Sequence, residues 1–172
     1  MIYILETERL SLRQFEITDT GFIVELVNSP GWIKFIGDRN IKTKEQAEDY
    51  LKNGPIKSYE DNGFGLYLVE LKNDKIPIGM CGIIKRDNLD SPDIGFAFLP
   101  AYTGQGFAFE IASATVEFAK DVLKLPEILA ITVPHNKASI KLLEKLGLAF
   151  SKKINFSADK EELMLYQLKF KS

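Results

Sequence analysis

The segment at residues 94–133 constrains the fold most, because it passes from a strand pattern through a helical pattern to a second strand pattern. Residues 94–99 form a short apolar run that ends at Pro100. Residues 104–123 repeat apolar side chains at helical spacing, and residues 128–133 are rich in β-favouring residues. Strands joined through a helix of this length lie parallel in one sheet. The sequence therefore predicts one βαβ crossover.

The loop that opens this helix contains Gly104 and Gly106, which let the backbone turn tightly without a Cβ. The first N–H groups of a helix have no intrahelical partner and can bind a phosphate. Phe107-Ala108 follows Gly106, so the Lys-Ser/Thr pair of a nucleotide P-loop is missing. Phe109 stands where a dinucleotide fingerprint needs a small residue. The remaining prediction is a site for a pyrophosphate-sized anion.

The N-terminal part of the chain carries two helix signals. The first predicted helix has candidate caps at Thr18 and Asp19 and ends at residues 29–31. The second begins with a capping box at Thr43 and Gln46 and ends near residues 53–55. Residues 32–36 between them are predicted to be irregular. Their aromatic side chains belong either to the core or to the lining of a pocket.

The other patterns predict a mixed sheet. Strands are expected at residues 8–15, 65–71, 76–85, 94–99, 128–133, 148–154 and 163–170. Asn136 can cap a last helix that ends at Gly147. This order predicts an α/β fold of the mixed α+β kind, with a mostly antiparallel central sheet of about seven strands, flanking helices and one parallel crossover. We expect a single domain over residues 1–172.

Composition excludes several classes of function. The net charge of −2, from 22 basic and 24 acidic side chains, gives no electrostatic basis for binding nucleic acid. No long apolar run indicates a membrane span, and the N-terminus lacks the pattern of a leader. With Cys81 as the single cysteine, we expect a cytoplasmic protein without a disulfide. His135 is the only histidine and no residue cluster has metal-ligand spacing, so we expect no metal.

Four stretches of the chain resemble one known family. They are Asp93-Ile94-Gly95-Phe96-Ala97-Phe98-Leu99-Pro100, then Thr103-Gly104-Gln105-Gly106-Phe107-Ala108 with Glu110, then Asn136-Lys137-Ala138-Ser139, and Leu143-Glu144-Lys145-Leu146-Gly147. In this order and spacing they are similar to motifs of the GNAT superfamily of acyl-CoA N-acyltransferases. The opening Thr7-Glu8-Arg9-Leu10-Ser11-Leu12-Arg13 resembles the branch that acetylates ribosomal-protein N-termini.

The resemblance implies acetyl-CoA as co-substrate. It implies that the strands at residues 94–99 and 128–133 diverge, with pantetheine in the opening. The residues expected to bind the cofactor through their backbone are Phe96, Ala97 and Phe98 for pantetheine, and Thr103, Gly104, Gln105, Gly106, Phe107 and Ala108 for the pyrophosphate. An asparagine at the Asn136 position binds the pantetheine arm in this family, and it can also be an ordinary N-cap.

Direct acyl transfer from a thioester to an amine needs a base, a stabilised oxyanion and a protonated leaving thiolate. Asp93 is the first candidate for the base, with an exposed turn aspartate as the alternative. Glu110 is the second candidate, and its alternative role is to support the loop. Leu143 replaces the tyrosine that serves as acid in many relatives, which leaves Ser139 as the candidate acid. Cys81 and His135 are expected to be structural.

The acceptor is expected to be a primary amine. The opening motif favours a protein N-terminus, and the alternatives are a polyamine, an amino acid or an aminoglycoside. A different alternative is a noncatalytic module that binds acyl-CoA. The acidic residues Asp159, Glu161 and Glu162 beside the expected acceptor wall suggest a cationic acceptor. The expected oligomeric state is a monomer or a homodimer.

Overall fold

The computed structural model describes residues 1–156 and 160–171, in which eight strands form one sheet of order β1-β2-β3-β4-β5-β6-β8-β7. The strands are β1 (Tyr3–Glu6), β2 (Leu10–Arg13), β3 (Leu66–Leu71), β4 (Pro77–Ile84), β5 (Asp93–Phe98), β6 (Glu127–Thr132), β7 (Ala149–Ile154) and β8 (Leu163–Lys169). Neighbours are antiparallel except β5 and β6. The mixed, mostly antiparallel fold and its parallel crossover are confirmed.

The helices lie on both faces of this sheet. They are α1 (Thr20–Val27), α2 (Pro30–Phe35), α3 (Lys44–Leu51), α4 (Lys57–Asn62), α5 (Phe107–Asp121) and α6 (Lys137–Lys145). A π-helical turn at Lys52–Ile56 joins α3 to α4, and a 3-10 turn at Pro100–Tyr102 precedes the glycine loop. None of the described helices is long and apolar enough to cross a membrane.

The strand predicted at residues 8–15 is only the second half of an N-terminal hairpin. Strand β1 pairs with β2 through Leu5 and Leu12, and the turn between them is closed by the Thr7 N–H, which donates to the Leu10 carbonyl at 2.8 Å. Strand β1 is a partly exposed edge of four residues. Pairing with β2 stabilises this short strand, so its own sequence pattern can be weak. Strand β1 raises the number of strands from the predicted seven to eight.

Two helix predictions were wrong in extent. Residues predicted to be irregular after Pro30 form α2, because proline at the first helical position loses no hydrogen bond. The helix predicted to stop near residues 53–55 continues to Gly63, whose φ is +80°. Pro55 is buried inside the π-helical turn, where the wider hydrogen-bond spacing tolerates a residue without an N–H. The capping box of Thr43 with Gln46 is confirmed.

Each face of the sheet has its own apolar core. Helices α5 and α6 cover the face that carries Ile94, Phe96 and Phe98, whereas α1 to α3 cover the face on which Ala97 packs. Because side chains alternate along a strand, Asp93 and Gly95 lie on the same face as Ala97. The residues of β5 therefore reach both faces of the protein.

Strands β5 and β6 separate almost as soon as they meet. Asp93 and Leu129 are their single registered pair, and the Leu129 N–H donates to the Pro92 carbonyl at 3.0 Å. Beyond this point the strands diverge, as the sequence resemblance implied, and a gap opens in the middle of the sheet.

Candidate active site

The gap between β5 and β6 holds a cavity of about 810 Å³, which we call the through-sheet cavity. On the α5/α6 face it is lined by the glycine loop and by α6, and on the α1/α3 face by residues that include Trp32, Arg39 and Tyr50. The site residues predicted from the sequence that line it are Asp93, Phe96, Ala97, Phe98, Thr103, Gly104, Gly106, Ala108, Asn136 and Ser139. Its volume is in the range of small-molecule sites.

The edge of β5 that faces the gap carries unpaired backbone groups. The Leu99 N–H donates to a carbonyl of β4, whereas the Pro92 carbonyl accepts from Leu129 of β6. Because backbone groups alternate sides along a strand, the N–H and C=O of Phe96 and Phe98 point into the gap. No strand of the described chain pairs with them there. The backbone groups of Ala97 point toward β4, so Ala97 contributes only its side chain to the cavity lining.

The glycine loop has the geometry of an anion cradle. Gly104 has φ +73° and Gly106, the N-cap of α5, has φ +83°, which is a conformation that other residues rarely adopt. The backbone N–H groups from Gly104 to Ala108 have no hydrogen-bond acceptor among the described residues. These donors at the start of a fifteen-residue helix fit a pyrophosphate. Gln105 does not line the cavity.

Two side chains of the loop face away from an incoming phosphate. The Gln105 amide donates to the Ala101 carbonyl at 2.7 Å, and the Thr103 hydroxyl donates to the Pro100 carbonyl at 2.9 Å. Phe107 is buried in the core. Gln105 and Phe107 can thus contribute only their backbone N–H groups to a bound anion.

The loop is held from outside by the N-terminal hairpin. The Glu110 carboxylate accepts from the Thr7 hydroxyl at 2.6 Å, from the Arg9 N–H at 2.9 Å and from Arg9 Nε at 2.7 Å. Arg9 also donates to the Gln105 carbonyl at 3.2 Å and lies 4.2 Å above the Phe107 ring. Burial alone would raise the pKa of Glu110, but these hydrogen bonds outweigh it and lower the pKa. Glu110 therefore supports the loop.

Asn136 caps α6, since its Oδ1 accepts from the Ser139 N–H at 3.2 Å. Its Nδ2 has no acceptor among the described residues and remains a donor at the edge of the cavity. Ser139 is half-buried in the first turn of α6. Leu143, one turn further, is buried and lines the cavity where a tyrosine would have offered a proton.

Asp93 lies at the point where β5 and β6 separate and is only 1% exposed. The alternative of an exposed turn aspartate is wrong. Arg86 Nε donates to its Oδ1 at 2.9 Å. Burial raises the pKa of Asp93 to about 6, and the charge and hydrogen bond of Arg86 oppose a larger shift. A carboxylate with this pKa is suited to accept a proton near neutral pH.

Cys81 and His135 lie in different environments. Burial raises the pKa of the Cys81 thiol to about 12, and its Sγ lies 3.4 Å from Thr115 Oγ1 in the core. His135 is exposed, contacts the Phe35 ring in a tilted arrangement with ring centroids 5.5 Å apart, and lies 3.4 Å from Glu161. Neither residue has the surroundings of a nucleophile or its base.

Two of the three acidic residues expected to attract a cationic acceptor already contact basic side chains. Glu161 contacts His135 and Glu162 pairs with Lys153 at 3.5 Å. Asp159 lies outside the described residues. Within the described ranges no group of three or more His, Cys, Asp and Glu residues is placed to hold a metal ion.

Residues 9–149 match the Acetyltransferase (GNAT) domain family. The chain is 30% identical over 148 residues to the Uncharacterized N-acetyltransferase YoaA of Bacillus subtilis (strain 168), which covers 86% of this chain and 83% of the relative. Its fold is similar to RimL, a ribosomal L7/L12 alpha-N-protein acetyltransferase in complex with coenzyme A, with TM-score 0.82, 14% identity and 97% of each chain covered.

A second solved structure with a similar fold is a spermidine N-acetyltransferase SpeG chimera from Vibrio cholerae and hSSAT. Its TM-score is 0.77 at 18% identity, with 94% of this chain and 96% of that chain covered. These two acetyltransferases are named for different acceptors, so the shared fold leaves the acceptor open.

Proposed function

The chain belongs to the GNAT acetyltransferase family and is an acyltransferase, and from this premise we propose that it transfers an acetyl group from acetyl-CoA directly to a primary amine. The family uses acetyl-CoA. The observation that carries the proposal is the through-sheet cavity, which joins an anion cradle on one face to a buried carboxylate on the other. A cytoplasmic location belongs to the same proposal, because the single cysteine fits a reducing compartment.

In this proposal the glycine loop binds the pyrophosphate through the N–H groups of residues 104–108. The unpaired edge of β5 at Phe96 and Phe98 pairs with the pantetheine arm, and Asn136 Nδ2 donates a further hydrogen bond to it. The acetyl thioester would then lie in the gap, beside β5. Backbone N–H groups fixed in a strand stabilise a developing oxyanion without reorganising, which is worth about 3 kcal/mol per donor in other enzymes.

Two side chains of the protein accept and donate the protons. The Asp93 carboxylate accepts a proton from the amine as the new C–N bond forms, directly or through one water. The C–S bond then breaks, and the Ser139 hydroxyl gives a proton to the leaving thiolate and regains one from solvent. No bond to the enzyme is made, so positioning of both substrates supplies much of the rate.

The acceptor in this proposal is a protein N-terminus, with a small amine as the second candidate. The opening motif, which favours the ribosomal-protein branch, includes Thr7 and Arg9 that buttress the loop and Arg13 that is buried against Asp19 at 2.9 Å. These residues support the cofactor half of the site, so their resemblance carries less information about the acceptor. The second candidate is favoured by the fold shared with a spermidine acetyltransferase.

The test is a panel of peptides with free N-termini, polyamines, amino acids and aminoglycosides, each incubated with the protein and acetyl-CoA. Release of free thiol together with a product heavier by one acetyl group is the expected result for one acceptor class. Tight binding of coenzyme A with no turnover across the panel would instead identify a noncatalytic acyl-CoA-binding module.

A further inference from the structure

The α1/α3 face of the through-sheet cavity carries hydrogen-bond donors that have no acceptor in the described part of the chain. Arg39 is exposed, lines the cavity and forms no ion pair within the described ranges. Trp32 is only 5% exposed, and its indole Nε1 is a buried donor without an acceptor among the described residues. An unpaired buried donor costs about 1–3 kcal/mol, so a hydrogen-bond acceptor placed beside the Trp32 indole would stabilise this part of the site.

Tyr50 belongs to the same group of donors. It lines the cavity from α3, and its hydroxyl makes no hydrogen bond to the residues that the structure describes. Burial raises the pKa of Tyr50, and the positive charge of the Arg39 guanidinium acts in the opposite direction. We call Trp32, Arg39 and Tyr50 the donor patch.

The charges elsewhere on the cavity do not neutralise the donor patch. Two acids line the cavity among the described residues: Asp93 is paired with Arg86, and Glu161 lies 3.4 Å from His135, which is charged only when protonated. Lys34 also lines it and lies 5.1 Å from the Phe35 ring centroid. The cations that line the cavity are Lys34, Arg39, Arg86 and Lys160, and they outnumber these two acids, so an acceptor with a carboxylate is electrostatically favoured over a purely cationic one such as a polyamine.

On the basis of the proposed function, we propose that the acceptor amine carries a carboxylate in the same molecule, and that the donor patch binds this carboxylate while the amine lies at Asp93. Arg39 supplies a planar pair of N–H donors that matches a carboxylate, and the Tyr50 hydroxyl can donate to its oxygens, with Trp32 beside them in the cavity wall. Asp93 and the donor patch line the same cavity, so both face a molecule bound within it.

Two sources of this chemistry are an amino acid and the N-terminus of a peptide with an acidic first residue. The phosphates of coenzyme A are a separate anion, but the cradle that fits them opens on the α5/α6 face. If replacing Arg39 changes the KM of the acceptor but not the KM of acetyl-CoA, Arg39 binds the acceptor and not the phosphates.

The experiment compares matched acceptors that differ only in the carboxylate. Each amino acid is paired with its decarboxylated amine, and each peptide with an acidic first residue is paired with its amide counterpart. We expect the carboxylate to lower the KM of the acceptor about 10- to 100-fold, the usual effect of a charged hydrogen-bonded pair. Equal KM values within every pair would overturn the proposal.

The variants are Arg39→Gln, Arg39→Lys and, as a control on an exposed cation outside the cavity, Lys44→Gln. Arg39→Gln should abolish the advantage of the carboxylate and leave the KM for acetyl-CoA unchanged. Arg39→Lys should retain part of the advantage, because the charge stays and the paired geometry is lost. An Arg39→Gln variant that changes only the KM for acetyl-CoA would assign Arg39 to the cofactor and overturn the proposal.

Binding is measured separately by ligand-observed NMR with coenzyme A present. Binding of a carboxylate-bearing amine that Arg39→Gln abolishes, in the absence of any acetyl transfer, would support the donor patch and contradict the proposed transfer. Acetyl transfer that is indifferent to the carboxylate would support the transfer and contradict the donor patch.

Discussion

Replacing Asp93 by asparagine tests the buried carboxylate at the centre of the site. The pKa of Asp93 is raised from 3.8 to about 6, and the side chain is only 1% exposed. Because the folded pKa is the higher one, the folded state binds a proton between about pH 4 and pH 6 that the unfolded chain has lost. The parent protein is therefore destabilised as the pH rises through this window.

The difference of about two pKa units corresponds to about 3 kcal/mol. Relative to Asp93→Asn, the parent should lose about 3 kcal/mol in its free energy of unfolding between pH 4 and pH 7. The asparagine cannot ionise, and Arg86 is 35% exposed and can remain solvated without its partner. Urea unfolding of both proteins across this pH range measures the difference directly.

The same substitution should lower kcat/KM and remove an inflection near pH 6 from its pH profile, because the proposed base is lost. Asp87→Asn is the matched control, since Asp87 is exposed in the turn before β5. A stability difference between parent and Asp93→Asn that is the same at pH 4.5 and pH 7 would refute the buried-charge argument. An unchanged pH profile in Asp93→Asn would refute its role as base.

Three further predictions concern the cofactor half of the site. Gly104→Asp should raise the Kd for coenzyme A at least tenfold relative to Gly104→Asn, measured by calorimetry, because both residues tolerate the φ of +73° and only aspartate adds a charge; equal Kd values would place the phosphates elsewhere. Glu110→Gln should destabilise the fold by about 1 kcal/mol and speed hydrogen exchange in the loop, whereas Glu117→Gln, at an exposed position of α5, should change neither; a loop with parent-like exchange would contradict the buttress. Ser139→Ala should lower kcat with little change in the KM for acetyl-CoA in steady-state assays; a parent-like kcat would remove Ser139 from the mechanism.

The N-terminal motif indicates the family, but its residues contact the glycine loop and the core and carry little information about the acceptor. Thr7 and Arg9 converge on Glu110 across more than one hundred residues of chain, and Arg13 is buried between Asp19 and Glu70. Through the contacts of Thr7 and Arg9, the N-terminal motif holds the glycine loop in its conformation. Their partners are distant in sequence, so local pattern could not indicate them.

Elements that depend on local interactions could be predicted from the sequence. The crossover followed from periodicity, the Thr43 and Asn136 caps followed from side chains that bond their own helix, and the glycine loop followed from residues that alone adopt a positive φ easily. Each of these depends on interactions within a few residues of chain.

Features that depend on residues far apart in the chain could be identified only in the folded protein. Edge strand β1 exists because β2 pairs with it, the raised pKa of Asp93 comes from burial where two strands separate, and the donor patch forms because Trp32, Arg39 and Tyr50 line one cavity. Pairing, desolvation and shared cavities join residues far apart in the chain, and no local pattern encodes them.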